Sequence, residues 1–183
     1  MRLFAALDLP LGVRTSLAAW AASAVGGDDR LRLVREQSLH VTLVFLGERP
    51  DPEPAAIAVV RALDPPPSAP PLAVDGPLWL SPRRPHVLTV GLDDPSGGLA
   101  TIQASVLDAL VRHAGHEAER RRFRPHVTVA RVRGRLRPFD LPSPPSLEFH
   151  PPAVTLYRSV LNTSPPAPAS YEAVASVPLS TLP

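Results

Sequence analysis

Two short stretches of the chain hold the residue types that can move a proton and grip an anion: His40-Val41-Thr42-Leu43 and His126-Val127-Thr128-Val129. Each sits in an apolar, β-branched run that reads as a strand. In a strand, positions i and i+2 share a face, so His40 projects with Thr42, and His126 with Thr128. An imidazole beside a hydroxyl is a compact phosphate unit: the ring handles a proton and the hydroxyl donates to a phosphoryl oxygen. Two such units facing each other would hold one phosphodiester from both sides. One neutral imidazole would take a proton from water, and one imidazolium would protonate the leaving oxygen. An unperturbed pKa of ~6.5 makes both forms accessible near neutrality. A single H-x-T-x is more often a strand with a core histidine. Two copies in matching strand contexts favour chemistry.

The remaining histidines lack this pattern. In His86-Val87-Leu88-Thr89 the threonine stands at i+3 and faces the other way. His113 and His116 fall at a helix end, where a cation is ordinary stabilisation. His150 precedes Pro151-Pro152 in a loop. No H-E-x-x-H pattern surrounds them, and with no cysteine in the chain thiolate metal sites, disulfides and cysteine nucleophiles are excluded. All 19 basic residues are arginine, which excludes a lysine Schiff base and a Walker-type phosphate loop. The sequence therefore points to a site without metal or cofactor.

The elements that must position the motifs can be placed from periodicity and breakers. Residues 2–8 read as a strand, and 13–25 as a helix stopped by Gly26-Gly27. Residues 31–34 and 39–46 read as strands, 53–63 as a helix, 72–80 and 86–92 as strands, and 99–111 as a helix. Strands follow at 123–132, 154–161 and 171–177. The run Asp64-Pro65-Pro66-Pro67-Ser68-Ala69-Pro70-Pro71 fits neither a helix nor a central strand, and is a lid or a spacer. Strands and helices mix without strict βαβ alternation, which favours α+β with antiparallel sheets. The repeated motif suggests two related lobes.

Charge is uneven. The chain carries +2 in total, yet residues 120–137 hold eight arginines and no acid, leaving the remainder at −6. Such a patch is either a solvated hairpin or the dock for an anionic ligand. Arg120, Arg121, Arg122 and Arg124 are candidate contacts to such a ligand, and to a backbone phosphate chain if that ligand is RNA. Phe45 and Trp79 are candidates for stacking a base. Phe45 has odd parity in its strand, opposite to His40, which places it in the core.

The two motif blocks resemble the signature of the two-histidine (2H) phosphoesterases. Their longer context resembles the RNA 2′,3′-cyclic phosphodiesterases, also called 2′-5′ RNA ligase-like proteins. The matching stretches are Arg2-Leu3-Phe4-Ala5-Ala6-Leu7-Asp8, Leu39 to Glu48, and Phe123 to Arg131, with a weaker match at Leu156-Tyr157-Arg158-Ser159 and Tyr171-Glu172-Ala173-Val174. The resemblance implies one bilobal α+β domain over 1–183, with two antiparallel sheets related by a pseudo-twofold. Helices would lie on the outer faces, and a groove between the lobes would hold one motif from each, at 40–43 and 126–129.

The resemblance also implies metal-independent hydrolysis of a terminal 2′,3′-cyclic phosphate to a 2′-phosphate, with His40 and His126 as acid–base pair and Thr42 and Thr128 on the phosphate. Arg131 stands where these enzymes carry a phosphate-contacting arginine. Its odd parity conflicts with that role unless a bulge lies near Ala130. Which histidine is acid and which base stays open. So do ligation in the reverse direction, hydrolysis of a small cyclic nucleotide, and an RNA-binding module without turnover. The expected partner is RNA with a 2′,3′-cyclic phosphate end. The expected setting is a cytoplasmic monomer: no apolar run is long enough for a membrane span, and Asp8 interrupts the N-terminal run too early for a signal peptide.

Overall fold

The computed structural model describes residues 1–81, 83–117, 121–160 and 170–180. Nine strands and three helices follow in chain order: β1 Arg2–Asp8, α1 Leu11–Val25, β2 Leu31–Leu33, β3 His40–Glu48, α2 Glu53–Ala62, β4 Leu72–Leu80, β5 Val87–Asp93, α3 Gly98–His113, β6 His126–Val132, β7 Glu148–Phe149, β8 Ala153–Val160 and β9 Ser170–Pro178. The expected elements are all present, with ends moved by up to three residues. Leu161 and Pro165 to Pro168 fall outside the described residues.

The strands run β7-β4-β5-β6-β3-β1-β8-β9, with β2 on β6. Every pairing between them is antiparallel. The order reads as two halves, β7-β4-β5-β6 and β9-β8-β1-β3, mirrored about the β3–β6 seam. Where two sheets were expected there is one continuous sheet, its halves joined at one registered pair, Val41 with Val127. The fold is α+β, with the pseudo-twofold passing through that pair.

Apolar spacing explains the helices. In α1, Val13, Leu17, Ala21 and Val25 recur every four residues and are buried. The helix ends where Gly26 donates its N–H to Ala22 O at 2.9 Å. A Cβ at Gly26 would lie 2.3 Å from that oxygen, so the close approach requires glycine. In α3, Leu99, Ile102, Val106 and Leu110 make the buried stripe. Both helices pack across the seam. Helix α1 leaves the first motif's half to lie on β2 and β6, and α3 leaves the second motif's half to lie on β3. Helix α2 covers α3, β8 and β9.

Of the two readings of the proline-rich run, a rigid spacer or a mobile lid, its contacts favour the rigid one. Ser68 forms a parallel bridge with Ser180, Ala69 N–H donates to Ser180 O at 2.9 Å, and Ser180 N–H donates to Pro67 O at 3.0 Å. His150 Nδ1 donates to Ala69 O at 3.0 Å. The run is thus pinned as a strap, and it lines neither of the cavities described below.

Leu110 is fully buried on α3, whereas Leu11 is 65% exposed at the start of α1. Leu110→Ala is expected to lower unfolding free energy by about 2–5 kcal/mol, and Leu11→Ala to stay within about 0.5 kcal/mol. Urea titration of both variants checks the pair; equal losses would contradict this packing.

Candidate active site

The seam sets the geometry. Val41 and Val127 are both completely buried, so the flanking His40, Thr42, His126 and Thr128 must project from the opposite face of the sheet. All four are half-buried. Carrying the antiparallel register one residue each way sets His40 opposite Thr128 and Thr42 opposite His126. Each imidazole therefore has one threonine on its own strand and one across the seam.

Both rings are held in the same way. His40 Nδ1 lies 2.8 Å from Ser38 O, and His126 Nδ1 lies 2.7 Å from Arg124 O. A carbonyl only accepts, so each Nδ1 carries the proton and each Nε2 is the free working atom. His40 Nε2 already meets a hydroxyl, Thr42 Oγ1, at 3.1 Å.

Past the threonines each motif strand bulges, and the two bulges correspond. The β1–β3 register shifts between Ala5 and Ala6, which skips Leu43. The β5–β6 register shifts between Leu88 and Thr89, which skips Val129. Two successive side chains then face the core: Leu43 with Val44, and Val129 with Ala130. Parity reverses beyond that point. The other half supplies a donor to each bulge carbonyl: Gln103 Nε2 of α3 reaches Leu43 O at 3.4 Å, and Val34 N–H reaches Val129 O at 2.9 Å.

The reversal places Arg131 in the groove with His40 and Thr42, which resolves its parity conflict. It also corrects Phe45, expected in the core. Phe45 is 47% exposed and lines the same groove, because Leu43 is skipped before it. Phe45 and Arg131 are equivalent positions, each five residues after its histidine. Trp79 takes the opposite course. It is buried against Phe139 and donates Nε1–H to Phe139 O at 3.1 Å, so it presents no face for stacking a base. Thr89 is fully buried and donates to Leu78 O at 2.9 Å, so His86 and Thr89 form no third unit.

The groove encloses about 470 Å³. Its cations are Arg2, Arg32, Arg35 and Arg131. Arg121, Arg122 and Arg124 are exposed and line neither cavity, and Arg120 lies outside the described residues. The sequence reading missed Arg2, Arg32 and Arg35. One signal was available: Arg32 alternates with Leu31 and Leu33, and β2 pairs Arg32 with Arg131.

The two imidazoles differ in surroundings. His40 stacks on Phe4 at 4.9 Å between centroids and meets the edge of Tyr171 at 5.4 Å. Tyr157 stacks on the far side of Phe4 at 5.5 Å. Burial in this aromatic pocket pushes His40 below its ordinary value; the Ser38 carbonyl and Asp8 oppose the shift, and Arg131 and His126 add to it. Among the described residues no three His, Cys, Asp or Glu side chains gather as a metal cage.

A family model described as the 2′-5′ RNA ligase superfamily matches residues 13–137, which include both motifs. The chain belongs to that superfamily. An RNA 2′,3′-cyclic phosphodiesterase of Geobacillus stearothermophilus is 32% identical over 178 residues, covering 90% of this chain and 54% of the relative. This chain thus spans about half the length of that protein. A protein of the same name from Escherichia coli (strain K12) is 31% identical over 130 residues, 71% of each chain. Among solved structures, E. coli LigT complexed with 3′-AMP superposes with a TM-score of 0.79 at 27% identity, covering 98% of both chains. TT0787 of Thermus thermophilus shares the fold, with a TM-score of 0.75 at 24% identity over 99% of both chains.

The His40 pocket carries a stability signature. The folded chain resists protonating His40, while the unfolded chain accepts that proton at ~6.5. The associated stability is complete above the unfolded pKa and is lost as pH falls through the depressed folded value. Wild type is expected to lose more unfolding free energy than His40→Gln between about pH 7.5 and about pH 5. Parallel losses in denaturant titrations would remove His40 as the cause.

Proposed function

We propose that this protein is an RNA 2′,3′-cyclic phosphodiesterase that opens a terminal cyclic phosphate to a 2′-phosphate with His40 and His126 as its acid–base pair. The observation that carries the reading is the matched pair of imidazoles. Each is locked through Nδ1 to a main-chain carbonyl, and both project, each with the threonine of its own motif, from one face of the seam. The names of the Geobacillus and E. coli relatives support it.

The chemistry follows from that arrangement. Water attacks phosphorus and gives its proton to the neutral imidazole. The P–O3′ bond breaks, and O3′ takes a proton from the imidazolium opposite. The products are a 2′-phosphate and a free 3′-hydroxyl. Thr42 and Thr128 donate to the non-bridging oxygens, on which negative charge grows, and Arg131 offsets that charge from the groove wall. The phosphate monoanion acts on His40 against the effect of burial and favours its charged form. The ribose oxygen that faces each ring therefore assigns its role, and the acid is the ring beside O3′. Every proton has a side chain to carry it, so the scheme runs without a metal. Arg2, Arg32 and Arg35 extend the positive field along the groove toward a polyanionic RNA end.

Phosphorus NMR of a short RNA ending in a 2′,3′-cyclic phosphate, incubated in excess EDTA, tests the reading. Conversion to a 2′-phosphate is expected, with His40→Ala and His126→Ala each slowed about 10²–10⁴-fold. A folded wild type that leaves the cyclic end intact, or histidine variants with near-normal turnover, would falsify it. Thr42→Ala and Thr128→Ala should each lose about 1.5–3 kcal/mol of transition-state binding, the range for a hydrogen bond to a charged group. Thr→Ser should be mild at both positions; kcat/KM values in which serine costs more than alanine would rule out the hydroxyl role.

A further inference from the structure

A second cavity, of about 320 Å³, adjoins the groove on the other side of His40. His40, Ser38, Arg35 and Tyr171 line both spaces, so the second chamber opens directly onto His40. Its far wall carries Arg14, from the first turn of α1. The Arg14 Nε is buried without a hydrogen-bond partner. Among the described residues neither Arg14 nor Arg35 forms an ion pair. A buried guanidinium donor left unpaired is costly, and a bound anion removes that penalty.

The acid in the chamber does not fill this role. Asp8 Oδ1 accepts from Tyr157 Oη at 2.7 Å, and Asp8 Oδ2 accepts from Thr155 Oγ1 at 2.8 Å. Burial and the Asp8 hydrogen bond raise the Tyr157 phenol to about 12, so the ring adds no second negative charge. Gln37, Ser38 and Ser170 supply neutral donors around the two arginines.

We propose that this chamber is a subsite for the phosphodiester one nucleotide upstream of the cyclic end, bound by Arg14 and Arg35. The inference rests on the phosphodiesterase reading above and deepens it: the enzyme selects an oligonucleotide end over a free nucleoside cyclic phosphate. Arg35 and His40 line both spaces, so a chain whose terminal phosphate sits at His40 and Thr42 has a route past Arg35 into the second chamber.

The test compares three substrates with the same terminal nucleotide: a nucleoside 2′,3′-cyclic phosphate, a dinucleotide with one internal phosphodiester, and that dinucleotide with an uncharged methylphosphonate linkage. Wild type is expected to favour the charged dinucleotide by about tenfold or more in kcat/KM, as for hydrogen bonds to a charged group. The methylphosphonate should lose that advantage. Arg14→Gln should bring the dinucleotide-to-mononucleotide ratio near one, and Arg14→Lys should restore part of it. Equal kcat/KM for all three substrates on wild type, or a preference intact in Arg14→Gln, overturns the subsite. If Arg14→Gln does not fold, the methylphosphonate comparison on wild type decides alone. Equilibrium titration of the dinucleoside phosphate and its methylphosphonate counterpart onto wild type separates the two readings. Charge-dependent binding without turnover of any cyclic substrate would retire the catalytic assignment and keep the subsite. Equal affinities would retire the subsite whatever the turnover.

Discussion

One antiparallel pairing, Val41 against Val127, fixes the rest of the site. Because both valines are buried, the residues on either side of each are turned to the opposite face together. Nothing else is needed to bring four polar groups from positions 86 residues apart in sequence into one cluster. A slip of one residue at the seam would bury two imidazoles and two hydroxyls and expose the valines, so the apolar core itself holds the register of the motifs. The corresponding bulges continue this logic. Each turns one further side chain into the groove, and each has its carbonyl met by a donor from the opposite half.

Symmetry of backbone does not extend to environment. His40 is enclosed by Phe4 and Tyr171, whereas the hydrogen bond that orients His126 lies at an exposed position. Enclosure keeps water from the faces of the His40 ring, which strengthens charge interactions there. A twofold frame thus holds two chemically distinct ends, as an asymmetric bond cleavage requires.

Much of this was legible in the residues. The elements followed from apolar period and from glycine and proline breaks. The motif pairs followed from strand parity, and parity also exposed the conflict at Arg131 that a bulge then resolved. Phe45 was misplaced because a skipped residue leaves no mark in composition: Leu43 and Val44 read as ordinary strand residues whichever way they face. The basic cluster misled for a different reason. Arg121, Arg122 and Arg124 are close in sequence but face solvent, while Arg2, Arg32, Arg35 and Arg131 are scattered in sequence and meet only after β2 crosses to β6. Local charge density records a run of like residues; the field in a groove depends on which strands are neighbours.

The crossing of α1 to β6 and of α3 to β3 carries a consequence for descent. Each motif strand rests on a helix encoded with the other motif. A half-length ancestor with this plan would have had an uncovered apolar strand face and a solitary imidazole. Two identical copies, exchanging helices, would have covered both faces and completed a site at their twofold axis. On that view the chain descends from a pair of subunits with equal rings. Fusion into one chain would then have let the surroundings of the two rings diverge, with Phe4 and Tyr171 closing on His40.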